Sequence, residues 1–531
     1  MKGTKKITRS FISVVLAAVM CFFAACSGEK EYITADETNQ TEEKAKAENR
    51  VTIYTYVDPS SESQEYNYDS MFYYPLLEMV HMYNNYCSLN FMGKDSVTVV
   101  RFSSRDRMIQ QMSTEIMAGG GPDIIALDNE LPINKLIKQE AFVDLNPYIE
   151  KDNSERAIDL RNFNKSIMDT GVFKGKRYMI PMLYMPDISL TDTSVEDKYG
   201  LKSGEQITYD NMDKKLDKFL KDNEKTSFLE GYESSKNLLF TYIQRNINIE
   251  KQTVSFDTKD FRKNIEFLKK LVTKGKIREG EYNSYIDKTC MLNKGFYDSM
   301  SAKYDPINYC LPEIHNRCTD SWGMEDVDPD KLNSYAQYFY SELYDEDKMY
   351  RENYKMFQDY VYEQEFGKFE DSLNGAVRND FVSDIAERED QKSGTITCGF
   401  MINANSKFKD KAYEFIKYSL CERMQRYITN DSTALTDGNN TFNLPVNTEA
   451  LKNSYTAMGY REERINKITK NSTTMERYLN YIINLNDFKI NDGYYQKNVI
   501  GDLVENYLNN KISQDNFITN LISKTKIYLY E

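Results

Sequence analysis

The sequence predicts an α/β fold in which helices flank a mostly parallel sheet. Two observations lead to this class. Segments typical of strands and helices alternate from residue 51 to residue 127, and such alternation indicates parallel strands joined by helical crossovers. The chain of 531 residues is 40% hydrophobic, which is enough for a packed core and, by length, for about two to four domains.

The first three strands follow from local patterns. Residues 51–56 (VTIYTY) and 96–102 (SVTVVRF) alternate in the manner of half-buried strands, and 123–127 form a short third strand after a glycine run. Ligands of such sheets bind beyond the carboxyl ends of the strands. The loops that follow these three segments are therefore where binding residues are expected.

Helices are predicted between these strands. Residues 73–87 are apolar at helical spacing. Ser104 is expected to cap the next helix, and the glycines at 119–121 are expected to end it. The buried stripe of that helix is predicted to be Met108, Met112 and Ile116.

The rest of the chain is predicted to be mixed, with one weak stretch. Residues 282–395 contain no confident strand. Helices are predicted at 133–149, after a cap at Thr208, at 260–273, at 410–425 and over most of 474–529, and strands at 177–181 and 395–402.

The amino terminus resembles a bacterial lipoprotein signal. Four basic residues precede residues 11–25, which carry no charge, and small residues lead to Cys26. In such signals the Cys is lipidated and becomes the new first residue, although Phe23 stands where Leu is usual. A secretory signal cleaved without lipidation and a transmembrane anchor are the alternatives, and a span needs about 20 apolar residues. We expect acyl chains on Cys26 to hold the protein at the extracytoplasmic face of the cell membrane.

The composition argues against nucleic acid as a partner. The net charge is −14, and −18 without the four basic residues of segment 1–25, whereas phosphates attract basic patches. The same charge disfavours adhesion to anionic lipid. Residues 26–50 are polar and contain almost no large apolar side chain, so we expect a flexible tether.

Neither metal binding nor a disulfide framework is predicted. Beyond Cys26 the six remaining Cys are scattered without a C-x-x-C pair, which indicates buried free thiols. Cys310 and Cys318, with His315 between them, match no common zinc spacing. We expect no metal and no other cofactor.

Enzymatic activity is not expected. The sequence has no G-x-S-x-G, no H-E-x-x-H and no phosphate-binding P-loop motif. Only two His are present, so the chain offers few candidates for a catalytic His base. Acid pairs for glycoside hydrolysis are not excluded, because 82 acidic residues make chance pairs common.

Several segments together resemble family 1 extracellular solute-binding proteins of ABC importers. Residues 116–125 (IMAGGGPDII) and 175–181 (GKRYMIP) are similar to two of that family's segments. Further similar segments are 137–149, in which Glu140 and Ala141 replace a single Gly, 208–210, 405–417 and 444–446. The resemblance covers about 51–275 and 395–450, does not extend well over 282–395, and rests on helical character alone in 451–531.

The resemblance implies a two-lobed periplasmic-binding-protein-like fold of type II, with mixed sheets flanked by helices and a ligand cleft between the lobes. It places 51–183 and 399–442 in the first lobe and 184–398 and 443–531 in the second, after a signal peptide at 1–25. Ligands of the family are mostly sugars and oligosaccharides, and hinge closure traps them. The implied partners are a small solute, expected to be an oligosaccharide, and ABC permease subunits, and we expect a monomer.

The polar candidates for ligand contact lie after predicted strands. A saccharide site needs planar polar groups, because each buried hydroxyl requires a hydrogen-bond partner. Asp58 follows the first strand, and Asp128 and Glu130 follow the third, where the family often has a ligand-binding acid. Asp58 and Asp128 can instead cap their loops, and Asp123 is expected to be structural.

The aromatic candidates are Tyr56, Tyr184 and Trp322, because aromatic faces cover the C–H faces of sugar rings. Tyr56 ends the first strand, and Tyr184 lies near the first crossover, where core packing is the alternative. Trp322 is the only Trp and lies in a polar loop, with ordinary burial as its alternative.

Two other functions are compatible with these residues. The same fold can present its ligand to a sensor, or bind a peptide or another metabolite. A surface glycosidase is the third hypothesis, which turnover of chromogenic glycosides would favour. A permease pair encoded beside the gene would favour transport.

Overall fold

Two sheets, each beside its own hydrophobic core, organise the chain. The computed structural model describes residues 50–56, 73–91, 96–192, 199–200, 207–222, 227–232, 235–275, 277–279, 290–295, 379–383, 387–425, 444–452 and 480–530. Cys26, Asp58 and Trp322, and most of 282–395, lie outside the described residues.

Sixteen strands occur in the described residues. They are β1 Val51–Tyr56, β2 Val97–Phe102, β3 Ile124–Ala126, β4 Val172–Phe173, β5 Lys176–Arg177, β6 Ile180–Pro186, β7 Ile188–Asp192, β8 Ser227–Tyr232, β9 Ile247–Asn248, β10 Thr253–Val254, β11 Ile277–Glu279, β12 Cys290–Gly295, β13 Asn379–Ser383, β14 Ser393–Ile402, β15 Leu444–Pro445 and β16 Asp487–Ile490.

Besides helical residues at 422–425, 448–452 and 480–483, twelve α-helices accompany these strands in the described part of the chain. They are α1 Tyr73–Phe91, α2 Arg105–Met117, α3 Ile133–Lys138, α4 Asn146–Lys151, α5 Lys165–Met168, α6 Tyr209–Asp222, α7 Ser235–Arg245, α8 Lys259–Lys274, α9 Lys409–Leu420, α10 Gly493–Tyr495, α11 Gly501–Leu508 and α12 Gln514–Tyr530. A π-helical turn, Gln496–Ile500, joins α10 to α11. No helix among the described residues is long and apolar enough to span a membrane.

The first sheet is mixed and has seven strands in the order β15-β6-β14-β3-β1-β2, with β16 also beside β14. The predicted strands β1, β2 and β3 are parallel, whereas β14 runs antiparallel to both β3 and β6. The second sheet has the order β11-β8-β12-β7-β13. The two remaining pairs, β4–β5 and β9–β10, are antiparallel hairpins.

Helix α2 shows how the sequence forms the first core. Ser104 accepts a hydrogen bond from the backbone N–H of Arg107 at 3.3 Å, which confirms the predicted cap. Met108, Met112 and Ile116 are buried, as their spacing predicts. The helix ends at a glycine run in which Gly119 and Gly121 have positive φ angles of 85° and 88°.

Three predicted segments differ from the structure. The strand expected at 177–181 instead spans Ile180–Pro186, with Pro181 inside it. Pro181 pairs with Gly399 of β14 beside a register irregularity, and irregularities of this kind are where a sheet accommodates proline. Residues 133–149 form two short helices rather than one, and the predicted helical tail contains strand β16.

The predicted domain boundaries stay a prediction, but the two cores can be described. The first core includes the helices α1, α2 and α9 and, from late in the chain, Leu444, Val446 and Ile482. The second core is formed by α6, α7 and α8 together with α11 and α12. Each core therefore draws on chain segments that are far apart in sequence.

Candidate functional site

Polar side chains converge at one edge of the first sheet. The parallel strands β1, β2 and β3 all end at this edge, at Tyr56, Phe102 and Ala126. Because β14 is antiparallel to β3, its first residue, Ser393, lies toward the same edge. The loops that begin here lead into α2 and into Asp128, so this edge is where an α/β sheet binds its ligands.

Arg105 is the centre of the polar cluster at this edge. Its Nε donates to Oδ2 of Asp128 at 3.0 Å, and its Nη2 donates to Oδ1 at 2.8 Å, which is a bidentate pair. Its Nη1 donates to Oε1 of Glu130 at 3.3 Å, and Nη2 also donates to Oδ1 of Asn129. One guanidinium thus orients three consecutive side chains.

Local structure holds both partners in place. Arg105 is the first residue of α2, directly after β2, so the helix fixes where its side chain starts. Asp128 follows β3, and its Oδ1 also accepts a hydrogen bond from the backbone N–H of Glu130 at 2.8 Å. The loop conformation at 128–130 therefore depends on the Asp128 carboxylate as well as on Arg105.

The charges of the cluster are compensated. Burial lowers the pKa of Arg105, but the hydrogen bond and charge of Asp128, with Tyr56 and Glu130, outweigh burial and raise this pKa overall. The hydrogen bond from Lys497 to Glu130 raises the pKa of Lys497, although burial opposes it. Each of these two cations is therefore paired with an acid.

The cluster lies where the two cores meet. Lys497, in the π-helical turn beside the second core, has its Nζ 3.1 Å from Oε2 of Glu130 and 3.5 Å from Oδ1 of Asp106. The backbone N–H of Tyr494 donates to the carbonyl of Asn129 at 3.1 Å. The polar edge of the first sheet is thus joined directly to a segment of the second core.

A second set of hydrogen bonds extends this junction. Asp492 accepts from the hydroxyl of Tyr528 at 2.5 Å and from Nδ2 of Asn134 at 3.2 Å. Asn134 belongs to α3, near the first core, and Tyr528 to α12, near the second. The carboxylate of Asp492 therefore bridges groups from both sides.

The structure brings Asp128 and Glu130 together, and Tyr56 ends β1 at the same edge of the sheet. The side chain of Tyr184 is only 1% exposed and contacts the ring of Phe488, with centroids 5.4 Å apart. This is the core packing that the sequence left as the alternative. Sequence reasoning missed Arg105, although its place at the start of the helix after β2 was a usable signal.

Comparison with known proteins shows the fold. No protein-family model matches the sequence, and no curated protein sequence matches it. The chain is similar to UgpB from Mycobacterium tuberculosis, solved in complex with glycerophosphocholine, at 11% identity and a TM-score of 0.51, covering 91% of this chain and 98% of that one. It is also similar to the GacH receptor of Streptomyces glaucescens, solved with acarbose, at 11% identity and 0.50, covering 91% and 98%.

A third similar structure is the sugar-binding protein MalE from Xanthomonas citri, at 12% identity and a TM-score of 0.50, covering 91% of this chain and 97% of that one. These likenesses run over nearly the whole length of both chains. The chain therefore has the periplasmic-binding-protein-type fold of solute-binding proteins, which confirms the predicted fold class.

Proposed function

We propose that the protein is an extracytoplasmic solute-binding protein that captures a carbohydrate between two lobes and delivers it to an ABC importer. The observation that carries this proposal is the polar cluster around Arg105, which lies at the ligand-binding edge of the first sheet and at the junction of the two cores. Two of the similar solved structures are described as a complex with acarbose and as a sugar-binding protein. The role is binding, without covalent chemistry.

The chemistry of the cluster favours an uncharged, hydroxyl-rich ligand. Asp128, Asn129 and Glu130 supply acceptor oxygens, and Arg105 supplies planar donors. A sugar hydroxyl can therefore take the place of one partner in a hydrogen bond of the cluster, and no polar group is left without a partner. Because Arg105 and Lys497 are already paired with acids, the cluster offers no uncompensated cation to an anionic ligand. A phosphodiester or a uronate is therefore a poorer fit than a neutral oligosaccharide.

The predicted domains fit the same proposal. Lobes at 51–183 with 399–442 and at 184–398 with 443–531 enclose the ligand by hinge closure. Residues 26–50 serve as the tether, and acyl chains on Cys26 serve as the anchor. Asp58 and Trp322 remain proposed ligand contacts, together with Tyr56, Asp128 and Glu130.

Ligand binding is tested by thermal unfolding and calorimetry of the purified protein. Neutral oligosaccharides form one panel, and oligouronates and glycerophosphocholine form the other. We expect at least one neutral oligosaccharide to raise Tm, because a ligand that binds only the folded state stabilises it. A response confined to the anionic panel would contradict the neutral-sugar proposal, and hydrolysis of a bound sugar would contradict the non-enzymatic role.

The cluster itself is tested with Asp128→Asn. Loss of one charged acceptor is expected to weaken ligand binding about 10- to 100-fold, since hydrogen bonds to charged groups contribute about 1.5–3 kcal/mol. The matched control is Asp159→Asn, because Asp159 pairs with Arg161 on the exposed surface of the described chain. Equal ligand affinity in the two variants would remove Asp128 from the proposed site.

The anchor is tested with Cys26→Ser. We expect wild-type protein to incorporate labelled palmitate and to fractionate with membranes, and the variant to lose the label. A Cys21→Ser variant is the control, because Cys21 lies inside the segment expected to be removed. Unchanged labelling of Cys26→Ser would disprove lipidation at this residue.

A further inference from the structure

One arginine contacts three separate passages of the chain, each of which enters or leaves the first sheet. Arg245 is the last residue of α7, a helix of the second core. Its Nη2 donates to Oδ2 of Asp187 at 3.0 Å. Its Nη1 donates to Oγ of Ser393 at 2.8 Å and to Oδ2 of Asp487 at 2.9 Å.

Each acceptor marks a different passage. Asp187 is the single residue between β6 of the first sheet and β7 of the second. Ser393 is the first residue of β14, where the chain returns from β13 of the second sheet. Asp487 opens β16, after which the chain leaves the first sheet for the helices of the second core. Among the described residues, the first two passages join the two sheets, and the third joins the first sheet to the helices of the second core.

The cluster around Arg245 is partly buried and balanced in charge. The side chains of Arg245 and Asp187 are 12% and 6% exposed, and that of Asp487 is 37% exposed. Lys489 supplies a second cation, with its Nζ 3.4 Å from Oδ2 of Asp187. Two acids, Asp187 and Asp487, thus face two cations, which is the condition under which buried charges are tolerated. We call Asp187, Arg245, Ser393, Asp487 and Lys489 the hinge cluster.

The position of the hinge cluster restricts how the two cores can turn. A change in the angle between the cores must be absorbed by backbone dihedrals where the chain passes from one to the other. Atoms on a rotation axis move least, so hydrogen bonds to all three passages survive a rotation only if they lie close to its axis. The planar fork of an arginine, with its five fixed donors, suits a node that holds several acceptors at once.

We propose that Arg245 is the positioning residue of the hinge: its guanidinium lies near the axis about which the two cores rotate, and its three bonds set their resting angle. The bonds hold the passages as one unit, so the cores turn about a defined axis. The pivot itself does not depend on any ligand. Its effect on affinity rests on the proposed capture of a solute, because the resting angle sets the free energy of closure.

The pivot is tested without ligand, from the distance between spin labels on exposed Asn153 near the first core and exposed Lys259 on α8. Arg245→Met keeps an unbranched side chain as far as the position of Nε and removes the guanidinium donors. We expect the distribution of label distances to broaden and its mean to shift. The matched control is Arg262→Met, because Arg262 pairs with Asp257 and Asp515, which both lie in segments of the second core, and we expect the wild-type distribution there.

A folded Arg245→Met protein with the wild-type distribution would overturn the proposal. If this variant does not fold, Arg245→Lys serves instead, because it keeps the charge but not the planar fork, and a broadened distribution is again expected. Hydrogen exchange of the wild-type protein gives a check without any variant. Amides at 187–188, 393–395 and 487–489 should exchange together and as slowly as the first sheet, and exchange at the rate of exposed loops would refute the pivot. Failure of every sugar to bind leaves these readouts untouched.

Discussion

Gly171 lies where the chain has no room for a side chain. It is buried in the short turn before β4, and its carbonyl accepts hydrogen bonds from the backbone N–H groups of Tyr178 and Met179 at 2.9 and 3.3 Å. A Cβ placed on Gly171 would lie 2.0 Å from the carbonyl oxygen of Met179. The neighbour is backbone, so it cannot move aside as a flexible side chain would.

Gly171→Ala is therefore expected to destabilise the protein by about 1–3 kcal/mol, the usual result of overpacking a core. The measurement is the urea midpoint of the first core. Gly120→Ala is the control, since the nearest atom to a Cβ there is the Glu115 carbonyl oxygen at 3.7 Å, and a change within about 0.5 kcal/mol is expected. Equal losses in both variants would contradict the steric explanation.

Single residues of the site were predictable only where strand position decides their place. Asp128 and Glu130 follow β3, so sequence order alone puts them at the carboxyl end of the parallel strands. Arg105 was missed because its partners come 23 to 25 residues later and meet it only through strand pairing. The role of Tyr184 was ambiguous because β6 is buried along its whole length, so its sequence does not alternate between apolar and polar residues.

Helix α8 shows an element whose sequence pattern decides its structure. Its buried residues include Phe261, Ile265 and Leu268, a helical stripe that the sequence predicts over 260–273. The hydroxyl of Thr258 accepts a hydrogen bond from the backbone N–H of Phe261 at 3.1 Å, which satisfies one free donor of the first turn. The helix thus begins where a cap residue permits it.

Thr258→Ala is expected to lower the free energy of unfolding of the second core by about 1 kcal/mol, because the first turn loses this cap. Thr258→Ser keeps the hydroxyl and should retain most of that stability. Denaturant unfolding followed by far-ultraviolet circular dichroism measures both variants. If Thr258→Ser loses as much as Thr258→Ala, the hydroxyl is not what stabilises the helix.

Elements that depend on partners far away in the sequence cannot be predicted from their local sequence. Strand β16 has four residues inside a segment that is otherwise helical, and it exists because β14, about 90 residues earlier, pairs with it. The strand with Pro181 was misplaced for a similar reason, since proline is accommodated there beside a register irregularity in the pairing with β14, which comes much later in the chain. Local secondary-structure propensity predicts neither β16 nor the position of the strand with Pro181.

At the scale of the whole molecule, buried carboxylates join distant parts of the chain. Burial raises the pKa of Asp492 above its ordinary value of 3.8, and hydrogen bonds from Tyr528, Tyr495 and Asn134 lower it only in part. Burial also acts to raise the pKa of Asp152, but hydrogen bonds from Ser154 and Lys417 outweigh it and bring the pKa below 3.8. The two carboxyls therefore respond to pH in opposite directions.

The sign of each effect follows from linkage. A raised pKa means that the stability contributed by Asp492 is present below pH 3.8 and is lost as the pH rises through the raised value. A lowered pKa means that the contribution of Asp152 is present above pH 3.8 and is lost as the pH falls through the lowered value.

We therefore expect Asp492→Asn to gain stability relative to wild type as the pH is raised from about 3 to about 7, and Asp152→Asn to lose stability relative to wild type over the same range. Urea midpoints at several pH values measure both differences. Parallel curves for wild type and Asp492→Asn would show that burial does not perturb this carboxyl.

The strand order of the first sheet also governs when that sheet can be assembled during synthesis. Strands β3 and β6 are complete by residue 186, but β14, which must lie between them, ends at residue 402, and β16 ends at residue 490. The ribosome extends the chain from its amino terminus, so β3 and β6 remain without their central partner β14 until about 200 more residues have been synthesised. Cotranslational folding of this half is thereby postponed until most of the polypeptide has left the ribosome.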